Sequence, residues 1–134
     1  MKAKNKSLTL FLISLSIISI YLILTAPLNK EIIQTSFVAG QNPGFDLTPG
    51  NLNFGKIVPG GSATRKITIT NNYNMPTITK VKSSGATSKY IIVSENNFIL
   101  QPFESINLTF TVYPTKNIEL KEYMGTITII TRKN

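Results

Sequence analysis

The sequence predicts an all-β domain preceded by one N-terminal transmembrane helix. The helix is indicated by an almost wholly apolar run from Leu8 to Leu24. The β domain is indicated by short segments in which apolar and polar residues alternate, spaced at intervals of about ten residues. Gly, Pro, Asn and Ser separate these segments, as tight turns require. A chain of 134 residues has room for one such domain and an appendage, because single domains commonly need about 100 to 150 residues.

The apolar run is long enough to cross a bilayer. No charged residue occurs from Ser7 to Asn29, and a helix of this segment covers roughly 25 to 33 Å, close to the roughly 30 Å hydrocarbon core. The basic residues that precede it are Lys2, Lys4 and Lys6. Because basic residues favour the cytoplasmic side, we expect a single-pass protein of the cell membrane. Residues 1–7 form its short cytoplasmic segment, residues 8–28 form a signal anchor, and the remainder is extracytoplasmic.

A cleaved signal peptide is the alternative to an anchor. Cleavage requires small residues at two positions before the cut. The segment Leu24-Thr25-Ala26 places a large Leu at the outer position and Pro27 directly after the cut. The segment Phe37-Val38-Ala39 fails in a similar way. The sequence therefore favours the uncleaved anchor and leaves a secreted, soluble β-sandwich as the alternative.

Residues 29–44 are interpreted as a linker between the helix and the domain. Residues 31–38 could extend the helix or form a short strand, whereas residues 39–44 have the Gly, Asn and Pro content of a loop. We therefore expect a tether that holds the domain, residues 45–134, off the bilayer.

Period-two alternation predicts seven to eight strands in this domain. It is clear near residue 106, where Ile106, Leu108, Phe110 and Val112 alternate with polar residues, so one face of the strand is core and the other is wet. The predicted strands are 45–47 with 51–54, 63–70, 77–83, 90–93, 98–100, 105–113 and 125–131.

Two of these strands raise questions of pairing. In the strand at 77–83, Ile78 and Val81 are three residues apart, so a β-bulge near residues 79–80 is expected to bring both inward. The alternative is a strand that begins only at Lys80. The strand at 125–131 is the best candidate for an interior partner of 105–113. It also lacks charge until Arg132, which would suit an exposed edge that accepts a partner strand. Both possibilities stay open at the level of sequence.

The composition argues against an enzyme, a metal site and a nucleic-acid partner. Absence of both Cys and His removes thiolate nucleophiles, imidazole bases and most transition-metal ligands. Glu119 and Glu122 are the closest domain carboxylates, and a solvated turn explains them. Asp46, Asn51 and Asn53 have too few carboxylates for calcium. Of the charge excess of +8, Lys2, Lys4 and Lys6 precede the apolar run, and the remaining +5 on the domain is scattered rather than gathered in one block. We therefore expect no catalysis, no cofactor and no nucleic-acid binding.

A series of short motifs along the domain resembles a known family. The residues that carry the resemblance are Phe54, Gly55, Gly60, Asn71, Pro76, Pro102 and Gly125. The series resembles the immunoglobulin-like domains of the ASH (ASPM–SPD-2–Hydin) and major-sperm-protein type, which belong with the PapD-like sandwiches. The resemblance implies an immunoglobulin-like Greek-key sandwich of seven to eight strands that serves in binding or scaffolding. Gly55 and Gly60 suit positive φ at strand ends, and Gly125 avoids crowding in the last strand.

These features favour one function and leave two alternatives. The favoured function is a membrane-anchored, extracytoplasmic binding or scaffold module for a protein or a cell-surface polymer. A structural or stator-like subunit of a surface appendage or membrane complex is the first alternative, and the secreted domain is the second. Asn107 begins an Asn-Leu-Thr sequon on the wet face of its strand, so it is a candidate glycosylation site.

Overall fold

The chain folds into one apolar helix followed by a two-layered β-sandwich. The computed structural model describes residues 2–42, 44 and 51–134, and the helix side chains from Lys6 onward. The predicted strand at 45–47, and with it Asp46, lies outside the described residues. The elements are α1 (Lys2–Thr25), β1 (Asn29–Ala39), β2 (Leu52–Ile57), β3 (Ala63–Thr70), β4 (Thr77–Gly85), a 3₁₀ turn (Ala86–Lys89), β5 (Ile91–Val93), β6 (Phe98–Leu100), β7 (Ser105–Val112) and β8 (Glu122–Lys133).

The strands form two sheets that pack face to face. The five-stranded sheet has the order β2-β1-β8-β4-β6, and the three-stranded sheet has the order β3-β7-β5. The predicted all-β sandwich behind an N-terminal apolar helix is therefore confirmed. Between them the sheets bury an apolar core to which β7 contributes Leu108, Phe110 and Val112, all 0% exposed. Towards the end of the core away from α1, Phe37 stacks on Tyr123 with ring centroids 4.9 Å apart.

The predicted linker is wrong for residues 29–39, because they form β1, a central strand. β1 pairs with β8 from Asn29 opposite Thr131 to Val38 opposite Glu122, and it pairs in parallel with β2 on its other side. Only residues 26–28 separate β1 from the end of α1. The sequence does not show a clear alternation over this strand, because apolar residues point to both of its faces. Phe37 is buried in the core, whereas Ile32 points outward and is 56% exposed.

The predicted β-bulge in β4 is also wrong. β4 pairs with β8 without interruption from Thr77 opposite Lys133 to Gly85 opposite Gly125. The inward positions are held by Thr77, Thr79 and Val81, and the two threonines are fully buried. Because threonine fills the core positions, Ile78 points outward and the strand needs no extra residue to correct its alternation.

β8 is an interior strand, but it does not pair with β7 as expected. It lies between β1 and β4 in the five-stranded sheet, whereas β7 lies between β3 and β5 in the other sheet. Ile127 and Ile129 point into the core from β8 and meet β7 across the sandwich rather than along a ladder. Both edges of β8 are therefore occupied, and it cannot accept a partner strand.

Candidate functional site

The outer face of the five-stranded sheet carries a patch of alternating cationic and apolar side chains. The strand register sets it: Lys30 of β1 and Lys80 of β4 both pair with Ile130 of β8, in a row across three strands. The next row away from α1 contains Ile32, Thr128 and Lys82, and the row nearer α1 contains Arg132 and Ile78. We call this patch the lysine–isoleucine face and define it as Lys30, Ile32, Ile78, Lys80, Lys82, Ile130 and Arg132.

The spacing of the sheet concentrates positive charge on this face. Neighbouring strands are about 4.8 Å apart and alternate residues of one strand about 7 Å apart, so adjacent cations of the patch lie within roughly 10 Å. That distance is comparable with the screening length at physiological salt, so their fields add. Among the described strand residues whose side chains point outward from this sheet, only Glu122 carries a carboxylate. It pairs with Val38 at the end of β1 away from α1. The patch therefore attracts acidic groups.

The patch also has a surface depression and exposed apolar area. A depression of about 390 Å³ is lined by Ile78, Lys80, Lys82, Asn97, Ile130 and Arg132. At its margins Ile32 is 56% exposed and Ile99, which pairs with Ile78, is 49% exposed. Isolated exposed isoleucines are ordinary, but here they are interleaved with cations on one face of the sheet. Such a surface fits a partner that presents both carboxylates and apolar side chains.

The part of the chain that the structure describes contains no cluster of three or more His, Cys, Asp or Glu side chains that would hold a metal ion.

The two carboxylates singled out in the sequence, Glu119 and Glu122, lie at the end of the sandwich away from α1. Glu119 accepts a hydrogen bond from the ammonium of Lys121, and this bond, together with the negative charge of Glu119, raises the pKa of Lys121. Both side chains are exposed, so the pair is a surface ion pair rather than a general acid or base.

The residues of the family resemblance lie at separate places and make turns and close contacts. Asn71 is 2% exposed; its amide donates to the carbonyls of Met75, Leu100 and Gln101 and thereby joins two loops. Gly55 and Gly60 have φ of 73° and 80°. The others have local positions: Phe54 is buried in the core, Pro76 precedes β4, Pro102 lies in the β6–β7 turn, and Gly125 faces Gly85. These residues do not converge on one site.

The candidate glycosylation site lies on the outer face of the three-stranded sheet. The side-chain oxygen of Asn107 accepts a hydrogen bond of 2.8 Å from the hydroxyl of Thr68 on the neighbouring strand. Asn107 is exposed, so its amide is reachable. Glycosylation of Asn107 stays a prediction.

Sequence reasoning missed the lysine–isoleucine face for identifiable reasons. Lys30 and Ile32 were assigned to a linker, and Ile78 was assigned to the core. One signal was present: Ile78, Lys80 and Lys82 follow one another at intervals of two, which places them on one face of a strand. Their neighbours on β1 could not be found without the register between the strands.

Comparison with known proteins gives one family. The family model described as "ASH: Abnormal spindle-like microcephaly-assoc'd, ASPM-SPD-2-Hydin" matches residues 44–131. No curated protein and no solved structure matches the chain.

Proposed function

The chain belongs to the ASH family, and from that premise we propose that it is a membrane-anchored, extracytoplasmic interaction module that binds an acidic protein partner. The family consists of immunoglobulin-like modules for protein interaction and scaffolding rather than catalysis. Within the proposal, α1 supplies the anchor, the sandwich supplies the rigid support, and the lysine–isoleucine face supplies the contact surface.

The character of α1 supports a single span surrounded by lipid. Its segment Lys6–Thr25 is long and apolar enough to cross a membrane, and none of it is buried against the sandwich. The hydroxyls of Ser14, Ser16 and Thr25 donate within the helix, to the carbonyls of Phe11, Leu12 and Tyr21. Such internal bonds lower the cost of placing these hydroxyls in lipid.

The position of β1 limits where a signal peptide could be cleaved if the domain were secreted. A cut after Ala39 would remove all of β1 and with it the central partner of β2 and β8. Only a cut near Ala26 would leave the sandwich whole, and that site has a poor sequence for cleavage, with Leu24 at the outer position and Pro27 after the cut. This supports the uncleaved anchor.

The lysine–isoleucine face is the observation that carries the choice of partner. A purely anionic polymer would satisfy the cations but would leave Ile32 and Ile99 in contact with water or with polar groups. A protein segment with carboxylates and apolar side chains satisfies both, and a buried apolar contact adds affinity that salt does not screen. We therefore favour an acidic protein over a cell-surface polymer.

Reversal of two charges on this face is expected to abolish most partner binding. The double variant Lys80→Glu with Lys82→Glu replaces attraction by repulsion at the depression, so at least about tenfold less crosslinked partner is expected. The measurement is crosslinking in intact cells that produce the full chain, followed by mass spectrometric identification and quantification of the partner.

A matched control separates the site from a general effect of charge. Lys66→Glu with Lys89→Glu makes the same change of net charge at two exposed positions outside the patch. The control is expected to keep the partner. An equal loss in both double variants, or no loss in either, would show that the lysine–isoleucine face is not the docking surface.

A further inference from the structure

The end of the sandwich that adjoins α1 carries an exposed phenylalanine in a strained turn. We propose that this end rests in the headgroup layer of the same bilayer that α1 spans, with the ring of Phe103 inserted at the boundary between headgroups and acyl chains. We call it the membrane-facing end and define it as Leu28, the β3–β4 loop (71–76) and the β6–β7 turn (101–104). The inference rests on the proposed function, because it requires α1 to span the membrane.

The connection between α1 and the sandwich is short, and its last residue, Leu28, is hydrogen-bonded to the sandwich. The amide N–H of Leu28 donates to the carbonyl of Thr131 at 2.8 Å, and the Leu28 carbonyl accepts from the hydroxyl of Tyr73 at 3.1 Å. Since Leu28 is held to the sandwich, only three residue steps remain back to Thr25, a span of at most about 11 Å. A headgroup layer is roughly 5 to 7 Å deep on each side of a bilayer, so this end of the domain must lie close to it.

The β6–β7 turn lies at the same end, because hydrogen bonds tie it to the helix junction. The backbone N–H of Asn71 donates to the Glu104 carbonyl at 2.8 Å, and its side-chain amide donates to the Gln101 carbonyl at 2.9 Å. The Asn71 side-chain oxygen in turn accepts from the backbone N–H of Tyr73 at 3.1 Å. Tyr73 bonds to Leu28, so a continuous chain of contacts runs from the turn to the connection that leads to α1.

Phe103 occupies a position that suits glycine. The turn is closed by the N–H of Glu104, which donates to the Gln101 carbonyl at 3.1 Å, with Pro102 and Phe103 as its central residues. Phe103 has φ of 61°, a left-handed conformation that favours Gly or Asn at the third position of such a turn. Its side chain is also 68% exposed, so it contributes little to the core. A large apolar residue held in a strained backbone and in water is explained if lipid covers it.

The charges around this end fit an anionic headgroup layer. Three cations lie at the level of the helix junction. Lys30 is the second residue of β1, and Arg132 and Lys133 are the last two residues of β8. Among the described residues, the acidic ones at this level are Glu31 and Glu104, and the Glu104 carboxylate accepts a hydrogen bond of 2.7 Å from the backbone N–H of Gln101. Cations at this level attract anionic lipids, and an aromatic ring at the interface adds apolar contact.

A single tryptophan reports on the position of this turn, because the chain contains no Trp. The variant Phe103→Trp is reconstituted as the full chain into vesicles of phosphatidylcholine and phosphatidylglycerol, with or without bromine on the acyl chains. We expect its emission to shift to shorter wavelength and to fall about twofold or more with brominated lipid. The matched control Leu120→Trp, at a residue 53% exposed in the loop at the opposite end, is expected to show neither change.

The outcomes separate this proposal from the anchor itself. Retention of the chain on the vesicles at alkaline pH with selective quenching of Phe103→Trp supports the proposal. Retention with equal quenching of both variants, or with none, overturns the proposal and leaves the anchor intact. Release of the chain at alkaline pH overturns the anchor and the proposal together.

A second variant tests whether Phe103 serves the fold instead. Phe103→Gly removes the ring and suits the positive φ, so the unfolding midpoint of the full chain in detergent micelles is expected to stay the same or to rise. A fall of several degrees would show that the ring stabilises the sandwich, and it would overturn the proposal.

Discussion

Replacement of Gly125 by alanine is expected to lower the free energy of unfolding by roughly 3 kcal/mol or more. A Cβ at this position would lie 2.1 Å from the Thr87 hydroxyl oxygen and 2.4 Å from the backbone carbonyl oxygen of Ser84. Thr87 is fully buried, and the Ser84 residue belongs to the β4–β8 ladder. Neither the Thr87 side chain nor the Ser84 carbonyl can move away without disturbing the core or the ladder. The clash with the added Cβ must therefore separate β4 from β8 or unfold both strands.

The measurement is urea or thermal unfolding of the full chain in detergent micelles, followed by circular dichroism. Gly44→Ala is the matched control, because its Cβ would lie 3.6 Å from the Cβ of Lys56, which is ordinary contact. The control is expected to change stability by less than about 0.5 kcal/mol. If Gly125→Ala were as stable as Gly44→Ala, the close approach of β8 to residues 84–87 would be wrong.

Replacement of Asn71 by alanine is the second large effect, with an expected loss of about 3 kcal/mol. The Asn71 side chain donates to the carbonyls of Met75, Leu100 and Gln101 and accepts from the N–H of Tyr73. Removal of the amide leaves these groups without their partner; the bond to the Leu100 carbonyl is buried and the other three are part-buried, and each unsatisfied buried group costs about 1 to 3 kcal/mol.

Two further variants define what Asn71 does. Asn72→Ala, at the exposed neighbouring position, is expected to leave the unfolding midpoint unchanged. Asn71→Asp keeps an acceptor for Tyr73 but places a carboxylate against three carbonyl oxygens, so it is expected to destabilise at least as much as the alanine variant. A stability of Asn71→Ala within about 0.5 kcal/mol of the original chain would contradict the proposed role.

The strands that sequence reasoning placed well are those with one wet face and turns at both ends. β3 and β6 have the predicted bounds, and β7 ends one residue before the predicted end. In β7 the alternation of Leu108 and Phe110 with polar residues is visible because the opposite face of its sheet is exposed. Local pattern suffices where a strand has one buried face and short polar turns on either side.

β1 could not be placed because the information that defines it is not local. It adjoins an apolar helix without a Gly or Pro break in its own span, and Ile32 and Ile33 interrupt the alternation. Its strand character depends on β8, which lies about 90 residues further along the chain and pairs with it from Asn29 to Val38. The wrong prediction of a bulge in β4 has a similar source. Only the packed core shows that Thr77 and Thr79, rather than Ile78, occupy its inward positions.

The same limit applies to the candidate site. The cations of β4 are visible as an i, i+2 pattern, but the lysine–isoleucine face exists only because β8 brings β1 and β4 together. The strain at Phe103 is likewise invisible in the sequence, where Pro102 predicts a turn but nothing gives the sign of φ at the next residue.

Whether this interaction module keeps its anchor is tested by the intact mass of the protein isolated from cells that produce it. We expect a membrane-bound chain that retains α1, with a mass close to 14.8 kDa. A mature chain that starts between Ala26 and Gly40 would contradict this expectation, because the sandwich would then have left the membrane without its helix.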